Sequence, residues 1–151
     1  MNDQLDEIKV IIVGTFAIGK TSIIYRFLSD LFSEDHVPTV GSETKKKKIT
    51  NSNGKEVMLY LWDTSGEERF ATIVGILYNN SNAVLICFDF QNEDSKNKID
   101  DYVSNAHMRS DGCAFFLVAT KIDLFSNERD QINDFLNSKV EYLTEKFPTH
   151  Q

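Results

Sequence analysis

Gly14-Thr15-Phe16-Ala17-Ile18-Gly19-Lys20-Thr21 is the stretch whose reading decides the fold. It satisfies G-x-x-x-x-G-K-S/T in full, and its flanks agree. Residues 8–13 before it form a short β-rich apolar run. After it, Ile23, Ile24, Phe27 and Leu28 recur at helical spacing. A strand that turns through such a loop into a helix offers backbone N–H groups and the positive end of a helix dipole, and together these wrap phosphates. Lys20 adds a cation toward the β- and γ-phosphates, and the Thr21 hydroxyl is placed to ligate Mg2+. The expected binding set is Gly14, Thr15, Phe16, Ala17, Ile18, Gly19, Lys20, Thr21 and Ser22. The competing reading is a chance match in an ordinary strand–turn–helix.

Outward from the loop, apolar runs alternate with helical patterns. Residues 31–42 show no periodicity, contain Pro38 and Gly41, and read as a loop. Residues 43–50 and 56–62 read as two strands joined by Asn51-Ser52-Asn53-Gly54, whose Asn-Gly pair signals a hairpin. A helix is expected over 71–78, a buried strand over 83–88 and a helix over 94–108. A third buried strand follows over 113–119, then a helix over 127–147. Three continuous apolar runs, each followed by a helix, predict parallel strands covered on both faces, with one antiparallel hairpin inserted. The expected fold class is α/β: a three-layer P-loop nucleotide-binding domain with a mostly parallel sheet and one antiparallel edge strand.

Two further strands end in polar groups suited to a nucleotide. Leu59-Tyr60-Leu61-Trp62-Asp63-Thr64-Ser65-Gly66 ends in Asp-x-x-Gly. A carboxylate at that end, beside the phosphate loop, holds Mg2+ through water, and Gly66 lets a backbone N–H approach a γ-phosphate closely. By itself Asp-x-x-Gly is more often a plain turn; its place one hairpin after a phosphate loop gives it weight. Phe115-Phe116-Leu117-Val118-Ala119-Thr120-Lys121-Ile122-Asp123 is the second such strand. A carboxylate there accepts two hydrogen bonds from the N1–H and exocyclic amine of guanine, a donor pair that adenine lacks. Asp123 thus selects the base, the alternative being a solvated loop aspartate.

The chain has 151 residues, 26% of them charged, and a net charge of −7. Length predicts one domain, residues 1–151, with about 68–70% of its unfolded surface buried. The acidic balance argues against nucleic acid as a partner. The first residues carry no apolar core of a signal peptide, no run reaches the roughly 20 apolar residues of a membrane helix, and no cysteine stands where a lipid is attached. Cys87 and Cys113 lie in or beside apolar runs and read as reduced, buried thiols. The expected localisation is cytoplasmic, peripheral to endomembranes only through partners.

Together these residues resemble the Ras superfamily of small GTPases, most of all its Rab branch. The strongest stretch is Trp62-Asp63-Thr64-Ser65-Gly66-Glu67-Glu68-Arg69-Phe70, one or two substitutions from W-D-T-A-G-Q-E-R-F, and the motifs run in order over residues 8–124. The resemblance implies a molecular switch that binds GDP and GTP with Mg2+, hydrolyses GTP, and serves vesicle traffic. It implies that Thr39 reaches Mg2+ and the γ-phosphate, that Phe32 lies against the guanine ring, and that Thr120 and Lys121 belong to the base site. Lys20, Gly66, Thr39 and Glu67 become the implied catalytic set, and Thr21, Thr39 and Asp63 the metal set. Residues 32–41 and 66–78 become two switches through which effectors and regulators bind.

Some residues depart from the family pattern. Glu67 stands where the family carries a glutamine that orients water. A carboxylate only accepts hydrogen bonds, so Glu67 either repels the nucleotide or acts as a base toward water. Phe16 and Ala17 replace small residues, and a ring at Phe16 crowds the space used by an activating protein's arginine. Hydrolysis is therefore expected to be slow, with a catalytically weak or inactive GTP-binding scaffold as the alternative; an adenine-specific P-loop ATPase or kinase is the further rival. Lys45-Lys46-Lys47-Lys48 on the hairpin either protects a sheet edge or meets an acidic protein or lipid headgroup. His36, His107 and His150 share no metal-ligand spacing. Trp62 is either strand packing or effector surface.

The family continues after Asp123 with a helix, a sixth strand, a loop that touches guanine, and a last helix. This sequence holds only the first of these, so about one βα unit, on the order of 20–30 residues, and the lipidated tail are expected to be absent. Asn137-Ser138-Lys139 falls inside helical pattern and does not replace the guanine loop. On that basis the strand over 113–120 becomes an open edge, with weaker guanine affinity and a tendency to self-associate.

Overall fold

Residues 5–35 and 37–148 are described by a computed structural model. The phosphate-loop strand is its centre. β1 (Asp6–Val13) lies between β3 (Glu56–Thr64) and β4 (Ala83–Asp89), parallel to both. β5 (Ala114–Thr120) runs parallel to β4, and β2 (Ser42–Thr50) pairs antiparallel with β3, giving the order β2-β3-β1-β4-β5. The expected mixed sheet, with its antiparallel strand on the outside, is what forms.

Burial explains why the inner strands carry unbroken apolar runs. Ile11, Ile12, Val13, Val84, Ile86 and Phe88 are all fully buried, because helices cover both faces. On one face α1 (Lys20–Ser29) packs Ile24 against Val10, Ile12 and Leu61. On the other, α2 (Ala71–Leu77) and the helix after β4 pack Val74, Ile99 and Val103 against Ile11, Val13 and Ile86. The last helix, α5 (Arg129–Lys146), adds Leu143 to this cluster.

One expected helix is divided. Instead of one helix over 94–108 the chain forms α3 (Glu93–Asn97) and α4 (Ile99–Arg109), joined at Lys98. The Asn92 side chain caps α3 by accepting from the Ser95 N–H at 2.9 Å. The buried Ser95 hydroxyl turns back to the Asp89 and Asn92 carbonyls, at 3.0 and 2.8 Å, and pins that short turn to the end of β4. Lys98, at φ −81° and ψ −9°, is at once the C-cap residue of α3 and the N-cap residue of α4. Helical periodicity runs through such a joint, so the pattern alone reads as one element. A smaller difference is that β5 begins at Ala114 rather than Cys113, after Gly112 at φ +67°.

The lysine run sits on outer strand β2, its side chains alternating between faces. Lys45 pairs with Glu43 at 2.5 Å. Lys47 donates to the Phe27 carbonyl at 2.7 Å and lies over the Phe27 ring, closing the end of α1. Lys48 pairs with Glu56 at 2.8 Å, and Lys46 is exposed. Trp62 packs on the core with the Lys9 ammonium over its ring. Cys87 and Cys113 are buried free thiols. No helix among the described residues is long and apolar enough to cross a membrane.

Candidate functional site

The phosphate loop is held from below by Ile18, which enters the core with Ile12 and Ile24. That anchor leaves Phe16 and Ala17 on the outer side, Phe16 54% exposed and Ala17 in the left-handed region at φ 58°. Gly14 meets β4 so closely that a Cβ would lie 2.5 Å from the Cys87 carbonyl oxygen, so only glycine fits. Lys20 opens α1 and folds back under the loop. Its buried ammonium donates to the Gly14 carbonyl at 2.9 Å and the Thr15 carbonyl at 2.8 Å. Burial pulls the Lys20 pKa below its ordinary value, and the nearby Asp63 charge works the other way. Ser22 is half-buried in the first turn of α1.

Three oxygens from separate elements converge beside this loop. The Thr21 hydroxyl donates to Asp63 Oδ2 at 2.6 Å. Thr39, from the segment between α1 and β2, places its hydroxyl 3.0 Å from that of Thr21 and donates to the same carboxylate oxygen at 3.3 Å. Burial raises the Asp63 pKa, opposed by the Thr21 hydrogen bond and the Lys20 charge. The other carboxylate oxygen, Oδ1, is buried with no hydrogen-bond partner. An orphaned carboxylate oxygen beside two hydroxyls is a donor set of hard oxygens, and it fits Mg2+. Thr21, Thr39 and Asp63, expected as metal ligands from sequence, are thus brought together.

Gly66 closes the remaining side. A Cβ on it would sit 2.3 Å from the Thr15 carbonyl carbon and 2.4 Å from the Phe16 nitrogen, so the backbone here touches the phosphate loop. The segment is tied back by the Ser65 N–H donating to the Gly41 carbonyl at 2.8 Å. Glu67 comes next and lines a cavity of about 590 Å3 with Gly14, Thr15 and Phe16. Its carboxylate is held by Arg69, Nε to Oε2 at 2.7 Å and Nη2 to Oε1 at 3.3 Å.

The base-side residues are arranged differently. Thr120 is buried and its hydroxyl donates to the Phe88 carbonyl at 3.1 Å, binding the end of β5 to β4. Lys121 follows in the left-handed region at φ 56° and pairs with Asp89 at 3.4 Å. Asp123, in a 3-10 turn over Ile122–Leu124, is exposed, and so is Phe32. Asn137, Ser138 and Lys139 lie within α5, as their pattern implied. His36 and His150 lie outside the described residues.

Sequence reading missed Arg69 and Asp89, the charge partners of Glu67 and Lys121. Arg69 stood inside the quoted nine-residue stretch. Its signal was an opposite charge two residues from Glu67, a spacing that carries meaning only once the 3-10 turn at Glu68–Phe70 is known.

The Ras family model matches residues 9–145. Among curated relatives, GTP-binding protein YPT53 of Saccharomyces cerevisiae is 39% identical over 127 residues, 83% of this chain and 57% of that protein. Ras-related protein Rab-21 of Homo sapiens is 35% identical over 117 residues, 77% of this chain and 52% of the relative. Ras-related protein RABD2a of Arabidopsis thaliana is 32% identical over 129 residues, 84% of this chain and 63% of the relative. The chain spans little more than half the length of the curated relatives it matches.

Proposed function

The chain belongs to the Ras family, and from that premise we propose that it is a Rab-like guanine-nucleotide switch that binds GDP and GTP with Mg2+ and hydrolyses GTP slowly. The observation that carries the reading is the convergence of Thr21, Thr39 and Asp63 beside the Lys20-braced loop. Thr39 belongs to the segment between α1 and β2, so its seat at the other two oxygens couples that segment to the state of the phosphates. Gly66 does the same for the segment before α2.

Each residue has a distinct task. The loop N–H groups and Lys20 bind the phosphates and stabilise charge that develops as the γ-phosphate leaves. Thr21, Thr39 and Asp63 would hold Mg2+, which supplies charge neutralisation at the β- and γ-phosphates when bound. Asp123 selects guanine, Phe32 and Lys121 cover the base, and Thr120 holds the strand end that presents them. Glu67 lies beside the attacking water but offers it no donor, which supports a slow reaction. Phe16, standing open over the loop, blocks an activator's arginine, so stimulation by activating proteins is poor. Residues 32–41 and 66–78 meet effectors and regulators, and through them the protein acts at endomembranes in vesicle traffic.

The test is displacement of a fluorescent GDP from the purified protein, followed by single-turnover phosphate release from bound GTP. GDP and GTP displace the probe, ATP does not, and phosphate appears over many minutes. Displacement by ATP would sink the guanine reading. Binding without phosphate release would leave a scaffold in place of a GTPase.

A further inference from the structure

Glu67 is one residue beyond a backbone that touches the phosphate loop, and it shares a cavity wall with Gly14, Thr15 and Phe16. Its carboxylate therefore lies on the side from which a terminal phosphate would be approached. The same wall also carries Glu68, Asp94 and Asp101 among neutral residues, with Lys98 as its cation, and the Glu68 charge is answered by Lys98 at 3.2 Å. The Glu67 charge is answered by Arg69 through two contacts. The guanidinium is restrained a second way, lying 4.9 Å from the centre of the Phe70 ring. The turn between them is closed by the Phe70 N–H donating to the Glu67 carbonyl at 3.0 Å. The Glu67 side chain is 27% exposed, so solvent screens it less than a fully exposed carboxylate.

We propose that Arg69 is a positioning residue that sets the preference of this site for nucleoside triphosphate over diphosphate, by holding and neutralising the Glu67 carboxylate. The proposal rests on the guanine-nucleotide reading above. An unpaired carboxylate at 67 repels a γ-phosphate and leaves a diphosphate nearly untouched, since a diphosphate puts no charge at that place. Two like charges several ångströms apart in a partly screened site shift an equilibrium by about tenfold.

The experiment measures displacement of fluorescent GDP by GDP and by a non-hydrolysable GTP analogue, with Mg2+ present. It compares the unaltered chain with Arg69→Ala, Arg69→Lys, Glu67→Gln and the double variant Glu67→Gln/Arg69→Ala. Arg69→Ala lowers the ratio of GTP-analogue to GDP affinity about tenfold, with GDP affinity unchanged within about twofold. Arg69→Lys recovers most of the ratio, and the double variant has the ratio of Glu67→Gln alone. The proposal is overturned if Arg69→Ala keeps the original ratio, if both affinities fall together, or if the fall is as large in the Glu67→Gln background. If the unaltered chain binds no guanine nucleotide, the underlying reading fails first and the proposal with it.

Discussion

The two ends of the candidate site are built by opposite means. At the phosphate end Lys20, Asp63, Thr64 and Ser65 are buried, and hydrogen bonds join them to Ile12, Gly14, Thr21, Thr39 and Gly41, with Asp63 Oδ1 alone among these left without a partner. At the base end Phe32, Lys121 and Asp123 lie on the surface, and their place comes from the loops that carry them. Only Thr120, beneath them, is buried and bonded into the sheet. The difference separates grip from choice. On the proposed function, charge-bearing phosphates would be met by groups whose geometry is preset inside the fold, where electrostatic attraction is strong. On the same reading the base would be chosen by exposed side chains, which contribute selectivity at modest cost in affinity.

That contrast can be broken at several points. Lys20→Ala is expected to have the largest effect, because it removes a buried cation from beneath the phosphates. GDP affinity by titration calorimetry falls by about 3 kcal/mol or more, on the order of a hundredfold. A loss below tenfold would mean that the two ends share the grip. Gly66→Ala forces a methyl into the Thr15 backbone, so the segment before α2 must leave the loop. GDP binding survives, and the difference in Trp62 fluorescence between GDP- and GTP-analogue-bound protein disappears.

Base-side changes are smaller. Asp123→Ala weakens GDP by about 1.5–3 kcal/mol, the range for hydrogen bonds to a charged group. It also abolishes the advantage of GDP over IDP, whose base lacks the exocyclic amine. Phe32→Ala costs about 1 kcal/mol of stacking, roughly fivefold in GDP affinity. The smallest change concerns Cys87, packed behind the phosphate loop at 1% exposure, where burial pushes the thiol up to about 12. The acid form therefore prevails at pH 8. Iodoacetamide leaves native Cys87 unmodified there and labels it in denaturant. Rapid native labelling would show that the phosphate end opens as readily as the base end.

The same contrast separates what sequence revealed from what it concealed. The loop from Gly14 to Thr21 and the strand end at Asp63 were legible because each ties its residues to a fixed local spacing, whereas Asp123, expected on a strand, lies in a 3-10 turn beyond the end of β5. The sheet followed from buried strands with unbroken apolar runs. The split at Lys98 was hidden because its cause, the buried hydroxyl of Ser95 turned toward β4, is a tertiary contact that leaves the helical period intact. The Glu67–Arg69 pair was hidden because residues two apart meet on some local backbones and not on others, and nothing in the spacing announces the 3-10 turn at Glu68–Phe70. The orphaned oxygen of Asp63 belongs to no motif and follows from the depth at which β3 ends.

Phe16 and Ala17 are exposed on the outer side of a cradle made of main chain, while Ile18, Gly14 and Gly66 carry the packing beneath it. Position 16 can therefore change in size and chemistry, position 17 only among residues that tolerate its positive φ, while the proposed phosphate cradle keeps its shape. On the proposed function, variation there would redraw the face shown to other proteins and leave the cargo alone, so a lineage of such domains could acquire or shed regulators while its ligand stays constant.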